Sequence, residues 1–446
     1  MARLVIVSNR VPPLRATAAT AGGLAVALQS AVRRRDVLWF GWSGECSDKT
    51  EPRLASSGSV THGLIDLTRA EHRLYYTGFC NGTLWPLLHY RFGLAKFRRE
   101  EEEAWRAVNH RFAAALLPLL RPDDTIWIHD FHLFPLAAAL RALGVTQRIG
   151  FFLHVPFPPV GLFNALPRAA ALLQDLASVD LIGMQTEEDA RHLTAALAEH
   201  GITPAIGAYP VGVPADEFAR VAAAASSRKD TQRFEASLVG RRLIFGVDRL
   251  DYSKGLPQRL EGYADLLARF PQHRGRVTFM QVAPVSREDV THYRLLRREL
   301  DELVGRINGE YAEVDWVPLR WTTRPIQRRT LAGFLRMAHV ALVTPLRDGM
   351  NLVAKEFVAA QPPDDPGVLI LSRFAGAAQE MEGALKVNPN DPDEIAEALD
   401  QALTMSLTER KARWRQDMDR LQAAGGNGWS RDFLARLNGA EFPQDA

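Results

Sequence analysis

The chain has 446 residues, more than one ordinary core accommodates, and 47% are apolar, so two soluble globular domains are expected. Lys and Arg number 54 against 52 Asp and Glu, a net charge of +2, which is no footprint for nucleic acid or an anionic membrane surface. The two cysteines, Cys46 and Cys80, make neither a disulfide framework nor a zinc site and read as free buried thiols in a reducing cytoplasm.

At the N-terminus the apolar run LVIV is too short for a signal peptide, and FAAALLPLL (112–120) is far below spanning length. A cytoplasmic protein without a membrane anchor is therefore expected. In chain order LVIVS (4–8), VLWFGW (37–42), TIWIH (125–129), IGFFLH (149–154) and DLIGM (180–184) read as buried strands. Stretches with 3.6-residue apolar stripes separate them and read as helices, with EEE (101–103) as a solvated helix start. Strand and helix alternating in this way build a parallel sheet. The segment 209–234 breaks the pattern with Pro, Gly and small residues, after which RLIFGV (242–247), RVTFMQVA (276–283), VALVTP (340–345) and GVLILS (367–372) resume it. The reading is α/β, two doubly wound domains, 1–225 and 226–446, facing a central cleft. The last helix is free to pack back on the first domain. Ligands of such sheets bind off the carboxyl ends of the strands.

Five strand ends carry polar or glycine-rich wording. In TPLRDGMNLVAKEF (344–357), Gly349 lets the backbone approach a ligand, the helix near Asn351 presents its positive end, and Glu356 is placed one turn in for vicinal hydroxyls. The plain alternative is a capped helix with a Lys–Glu pair on its wet face. In VDRLDYSKGLP (247–257), Arg249 and Lys254 are two cations suited to a diphosphate, or else members of a salt-bridged loop. AGG (21–23) opens a helix without the dinucleotide fingerprint. Asp130, His132 and His154 fall at strand ends, where three converging ligands would be needed for a metal. DPD (391–393) reads as a helix cap. Arg10, WFGW (39–42), YY (75–76) and LWP (84–86) supply a cation and the aromatic faces on which sugars stack, though Trp is usually core.

The series VSNRVP, AGGLA, WFGWSGE, LWPLLHYR, WIHDFHL, FFLHVPFP, RLDYSKGLP, APVSREDV, RINGEY, TPLRDGMNLVAKEF and LSRFAGAAQEM resembles the trehalose-6-phosphate synthase family, from residue 3 to about 410. The resemblance implies a GT-B fold and a retaining transfer of glucose from a nucleotide sugar, UDP-glucose by family habit, to glucose 6-phosphate. It implies no metal and no cofactor. Gly22 and Gly23 would approach the donor, and Arg249 and Lys254 would hold its diphosphate. The backbone at Ile326 would meet the base. Asp348, Met350, Asn351, Leu352 and Val353 would hold donor sugar and phosphates, and Glu356 the ribose. Arg10, Trp42, Tyr76, Trp85, Asp130 and Arg287 would bind the acceptor, with His154 beside the reacting carbon. Two stretches, 190–210 and 320–329, depart from the family's wording. Rival readings are a glycerol 3-phosphate acceptor, a silent sugar-phosphate sensor and a pyridoxal-phosphate phosphorylase. The donor residues Arg249, Lys254, Asp348 and Glu356 all stand, against a silent sensor. Expected partners are the two sugar substrates, with no nucleic acid and no membrane; a homo-oligomer stays open.

Overall fold

The computed structural model describes residues 3–12, 28, 32, 35–49, 51–285 and 291–439. They form two compact units, Met1–Val211 with Asn427–Ala446, and Gly212–Gly426.

The first unit is built on an eight-stranded sheet. Its strands are β1 (Leu4–Arg10), β2 (Val37–Cys46), β3 (Arg53–Ser57), β4 (Val60–Leu67), β5 (Thr125–His129), β6 (Arg148–Phe152), β7 (Leu181–Met184) and β8 (Ala205–Ala208). The order is β3-β4-β2-β1-β5-β6-β7-β8, parallel except for the β3–β4 hairpin. β5 is buried along its whole length, as a strand covered on both faces must be, which is why TIWIH shows no polar alternation. The apolar runs locate the inner strands. The hairpin and β8 are half-exposed and escape that reading.

Helices α1 (Arg99–Leu116), α2 (Leu136–Ala142), α3 (Ala169–Leu176) and α4 (Glu187–Ala198) cover this sheet. Residues His72–Leu84 form a π-helix, a wide form that rarely exceeds one turn. The acidic start of α1 is not wholly solvated: Glu102 is buried and takes Arg106 and Arg168. Cys80 is buried as expected, but Cys46 is exposed at the end of β2.

The second unit opens with α5 (Ala215–Ala225) and α6 (Lys229–Ala236), so the segment with breaking residues is mostly helical. Its strands β9 (Arg242–Val247), β10 (Val277–Val282), β11 (Leu319–Thr322), β12 (Val340–Val343), β13 (Val368–Ser372) and β14 (Leu385–Val387) are all parallel, in the order β11-β10-β9-β12-β13-β14. Between and after them run α7 (Leu256–Arg269), α8 (Thr291–Tyr311), α9 (Arg328–Met337), α10 (Leu352–Ala360), α11 (Pro392–Thr404) and α12 (Leu407–Ala424). Asp391 of DPD caps α11, accepting the Glu394 N–H, as the sequence suggests. The last helix, α13 (Gly428–Leu437), belongs to the first unit: Trp429 and Phe433 lie against Trp127 of β5 and Phe152 of β6. No helix among the described residues is long and apolar enough to cross a membrane.

Candidate active site

In the second unit the polar residues gather where β9 and β12 end. After β9 the chain turns at Asp251, whose carboxylate accepts the Ser253 N–H, and enters α7 through Gly255. Gly255 has φ +61°, and a Cβ there would lie 2.3 Å from the Thr344 carbonyl oxygen, so only glycine fits. Pro257 then occupies the first turn of α7. Beneath the turn Arg259 is fully buried, its guanidinium bonded to Asp248 (2.6 Å), Thr344 (2.9 Å) and Gln281 (3.0 Å). It braces the ends of three strands. Burial pushes the Asp248 carboxyl up, and Arg259 opposes this.

Above that brace Lys254 reaches Asp348 at 2.5 Å, and Asn351 donates to the same carboxylate at 3.0 Å. Asn351, at φ +86°, also caps α10 by accepting the Ala354 N–H. The turn is laced to the chain after β13 by Asp348 N–H to Phe374 O and by Ala377 N–H to Met350 O. Met350 is buried, while Leu352 and Val353 are half-buried. Glu356 accepts from Arg328 at 2.7 Å; burial raises its carboxyl and Arg328 opposes the shift. Ile326, two residues before Arg328, borders a shallow depression shared with Lys229, Asp230 and Gln327. Arg249, two residues past the end of β9, is exposed. Lys355 is not on a wet face: it is buried and paired with Glu380 at 2.5 Å.

In the first unit the structure brings the acceptor candidates into one chain of contacts. The Arg10 guanidinium stands 5.8 Å from the Trp42 ring. Gly44, at φ +95°, leaves it room, since a Cβ there would fall 2.6 Å from the guanidinium. Trp42 is 5.5 Å from Tyr76, which stacks on His132 at 6.0 Å. His132 lies 4.0 Å from the Asp130 carboxylate. Asp130 accepts the His154 backbone N–H at 3.4 Å, and its own N–H goes to Phe152 O. Its backbone, φ 77° and ψ 162°, is glycine territory. Trp85 is buried beside Phe131, 5.8 Å between rings. Among the described residues no group of three or more His, Cys, Asp or Glu converges as a metal site would require. Gly22, Gly23 and Arg287 lie outside the described residues.

Sequence reasoning passed over Arg259, His129 and Gln185. Arg259 sits on the apolar face of α7, a signal that was available. His129 lies 3.0 Å from His154, and Gln185 lies 3.3 Å from its other ring nitrogen. Only the juxtaposition of β5, β6 and β7 reveals those two.

Two Rossmann-like parallel-sheet domains, each with charged and hydrogen-bonding groups at the carboxyl ends of its strands, define the class: a glycosyltransferase of the GT-B fold. Residues 4–439 match the model of Glycosyltransferase family 20. The trehalose-6-phosphate synthase of Sinorhizobium fredii is 46% identical over 456 residues, covering 98% of each chain. A crystal structure of an alpha,alpha-trehalose-phosphate synthase (UDP-forming) from Burkholderia xenovorans, in complex with glucose-6-phosphate, superposes with a TM-score of 0.95 at 46% identity, covering 98% of this chain and 100% of that one. An Escherichia coli structure bound with UDP-2-fluoro glucose gives 0.94 at 44% identity, covering 98% and 99%. The chain belongs to Glycosyltransferase family 20.

Proposed function

We infer that the chain transfers glucose from UDP-glucose to glucose 6-phosphate, with retention at the anomeric carbon, forming alpha,alpha-trehalose 6-phosphate and UDP. The observation that carries this reading is the set of charged, polar and aromatic groups that stand together in each unit of a family member. In the second unit they are Lys254, Asp348, Asn351 and the Arg328–Glu356 pair. In the first they are Arg10, Trp42, Tyr76 and Asp130.

The roles follow from chemistry. The leaving diphosphate gathers negative charge in the transition state, and Arg249, Lys254 and the amino end of α10 would stabilise it. That combination can replace a divalent ion, so activity in EDTA is expected. Asp348 would exchange its hold on Lys254 for a donor-sugar hydroxyl, with Gly22, Gly23 and the stretch Met350–Val353 around the donor. Glu356, positioned by Arg328, would take the ribose, and the backbone at Ile326 the base. Arg10 and Arg287 would read the acceptor phosphate, Asp130 a sugar hydroxyl, and Trp42, Tyr76 and Trp85 would wall the sugar. The first unit would thus serve the acceptor and the second the donor, in a cytoplasmic enzyme.

The test is nucleotide release by the purified protein from UDP-, ADP- and GDP-glucose, with glucose 6-phosphate, glucose and glycerol 3-phosphate as acceptors. Turnover is expected with UDP-glucose and glucose 6-phosphate, and should fall about 100-fold or more in Lys254→Ala. Equal use of unphosphorylated glucose, or a Lys254→Ala rate within a few fold of wild type, overturns the assignment.

A further inference from the structure

The carboxyl ends of β5, β6 and β7 are neighbours in the sheet, and each carries a side chain with ring or amide nitrogens at its last residue or within two residues beyond it. His129 closes β5, His154 follows β6, and Gln185 follows β7. Their polar atoms form one line. The Val211 N–H donates to Gln185 Oε1 at 3.1 Å. Gln185 Nε2 faces His154 Nδ1 at 3.3 Å. His154 Nε2 faces His129 Nδ1 at 3.0 Å. His129 Nε2 is buried, with no hydrogen-bond partner among the described residues.

The direction of every bond in this line is fixed. A backbone N–H can only donate, so the Gln185 oxygen is the atom facing Val211 and its NH2 faces His154. His154 Nδ1 must then accept. A neutral ring that accepts at Nδ1 carries its proton on Nε2 and donates it to His129 Nδ1. His129 in turn carries its proton on Nε2.

We propose that Gln185 and His129 are positioning residues for the glucosyl transfer inferred above, holding His154 as a single neutral tautomer with both ring nitrogens committed to the protein. His154 then has no lone pair for the proton of the attacking hydroxyl. When the acceptor oxygen bonds to the anomeric carbon and the bond from that carbon to the diphosphate oxygen breaks, the hydroxyl proton passes to the leaving diphosphate. Desolvation agrees with an uncharged pair: it takes His154 down to about 3 and His129 well below its usual value. The titratable neighbours do not reverse this. Asp130 bonds the His154 backbone and not the ring, and His132 stands on the far side of the Asp130 carboxylate. Trp429 and Phe152, which pack on the ring of His154, carry no charge.

The inference rests on the proposed function for its role in turnover, but the tautomer chain can be tested without turnover. In protein labelled with ¹⁵N-histidine, both rings should show the neutral, Nε2-protonated pattern from pH 6 to 8.5, with signals assigned by their loss in His129→Asn. A proton on His154 Nδ1, or titration inside that range, overturns the proposal. In Gln185→Glu a carboxylate faces Nδ1, so His154 should take a second proton. Turnover should fall at least about tenfold, as expected for a misprotonated catalytic-site ring, while KM for glucose 6-phosphate stays within about twofold and a new limb enters the kcat–pH profile. Unchanged kcat, or a loss confined to KM, overturns the positioning role. His129→Asn keeps an acceptor near Nδ1 and should retain more turnover than His129→Leu; equal losses count against the proposal. Should Gln185→Glu not fold, the wild-type spectrum and this pair decide. A wild-type protein inactive with UDP-glucose and glucose 6-phosphate would reject the function and leave the spectrum to judge the tautomers.

Discussion

Asp130 keeps a backbone that only glycine enters freely, with φ 77° and ψ 162°. Such residues cost of order 1–3 kcal/mol and gather where function needs them. The stored strain can be measured by comparing Asp130→Gly with Asp130→Ala. Both remove the carboxylate, but only glycine relieves the backbone, so Asp130→Gly should be the more stable by about 1 kcal/mol, read as a denaturation midpoint. Both should lose acceptor-dependent turnover. Equal stability would mean the backbone carries no strain. Asp417 of α12 offers a second residue-scale test. Its buried carboxyl accepts the Gly383 N–H, and burial raises it from 3.8 to about 6. The folded state therefore holds the proton more tightly than the unfolded chain. The stabilisation is full below pH 4 and is lost as pH rises through 6. Asp417→Asn should flatten this dependence and gain up to about 3 kcal/mol at pH 7. An unchanged slope of Tm against pH between 4 and 7 would contradict it. At this scale the sequence exposed Lys254, Asp348 and Glu356 through motifs in order. It hid His129, Gln185 and Arg259, whose importance lies in partners 11 to 85 positions away.

Strands buried on both faces announce themselves as unbroken apolar runs, so β1, β2, β5, β6, β7, β9, β10, β12 and β13 were legible. β3, β8 and β11 are short and partly exposed, and β14 spans three residues; none has a run long enough to stand out. The π-helix was illegible for another reason. Its residues include two glycines, Gly78 and Gly82, and its register is supported by a side chain, since Asn81 Nδ2 bonds the Tyr76 carbonyl at 2.7 Å. Tertiary partners fix it as well: the Tyr75 hydroxyl donates to Asn9 at 2.6 Å, one residue from Arg10. Close packing between elements gives a prediction here. A Cβ on Gly150 of β6 would lie 2.8 Å from both Phe433 and Leu437 of α13. Gly150→Ala should therefore push α13 from the sheet and cost about 1–3 kcal/mol in stability. Exposure of Trp429 would report it as a red-shifted emission. A variant with unchanged midpoint and emission would show that α13 yields without cost.

For the whole molecule, the near-neutral composition gave no reason to expect a nucleic-acid or membrane surface, and the family resemblance supplied the GT-B class. The return of the last helix to the first domain was an open reading of the sequence, but the crossing points were not legible, because small residues such as those in AAGGNGW (423–429) read equally well as loop or crossing. The chain leaves the first unit after Val211 and returns to it at Asn427, with Gly212 set 2.5 Å, at its ideal Cβ position, from the Gly425 carbonyl oxygen. Removing residues 427–446 should therefore damage the unit that is distant in sequence. Trp127 and Phe152 lose their cover, and the first unit should unfold at lower denaturant while the second keeps its midpoint. Loss confined to the second unit would contradict the division.

That returning helix also sets a timetable. A ribosome delivers the polypeptide from its amino end, so the first domain's sheet emerges early but lacks α13 until the codons for Gly428–Leu437 are read. The second domain, continuous from Gly212 to Gly426, has all its residues before then. The domain begun first is the one finished last, and for the whole of that interval Trp127 and Phe152 lack the two aromatic rings that will cover them. A nascent-chain chaperone would meet its clearest hydrophobic target there.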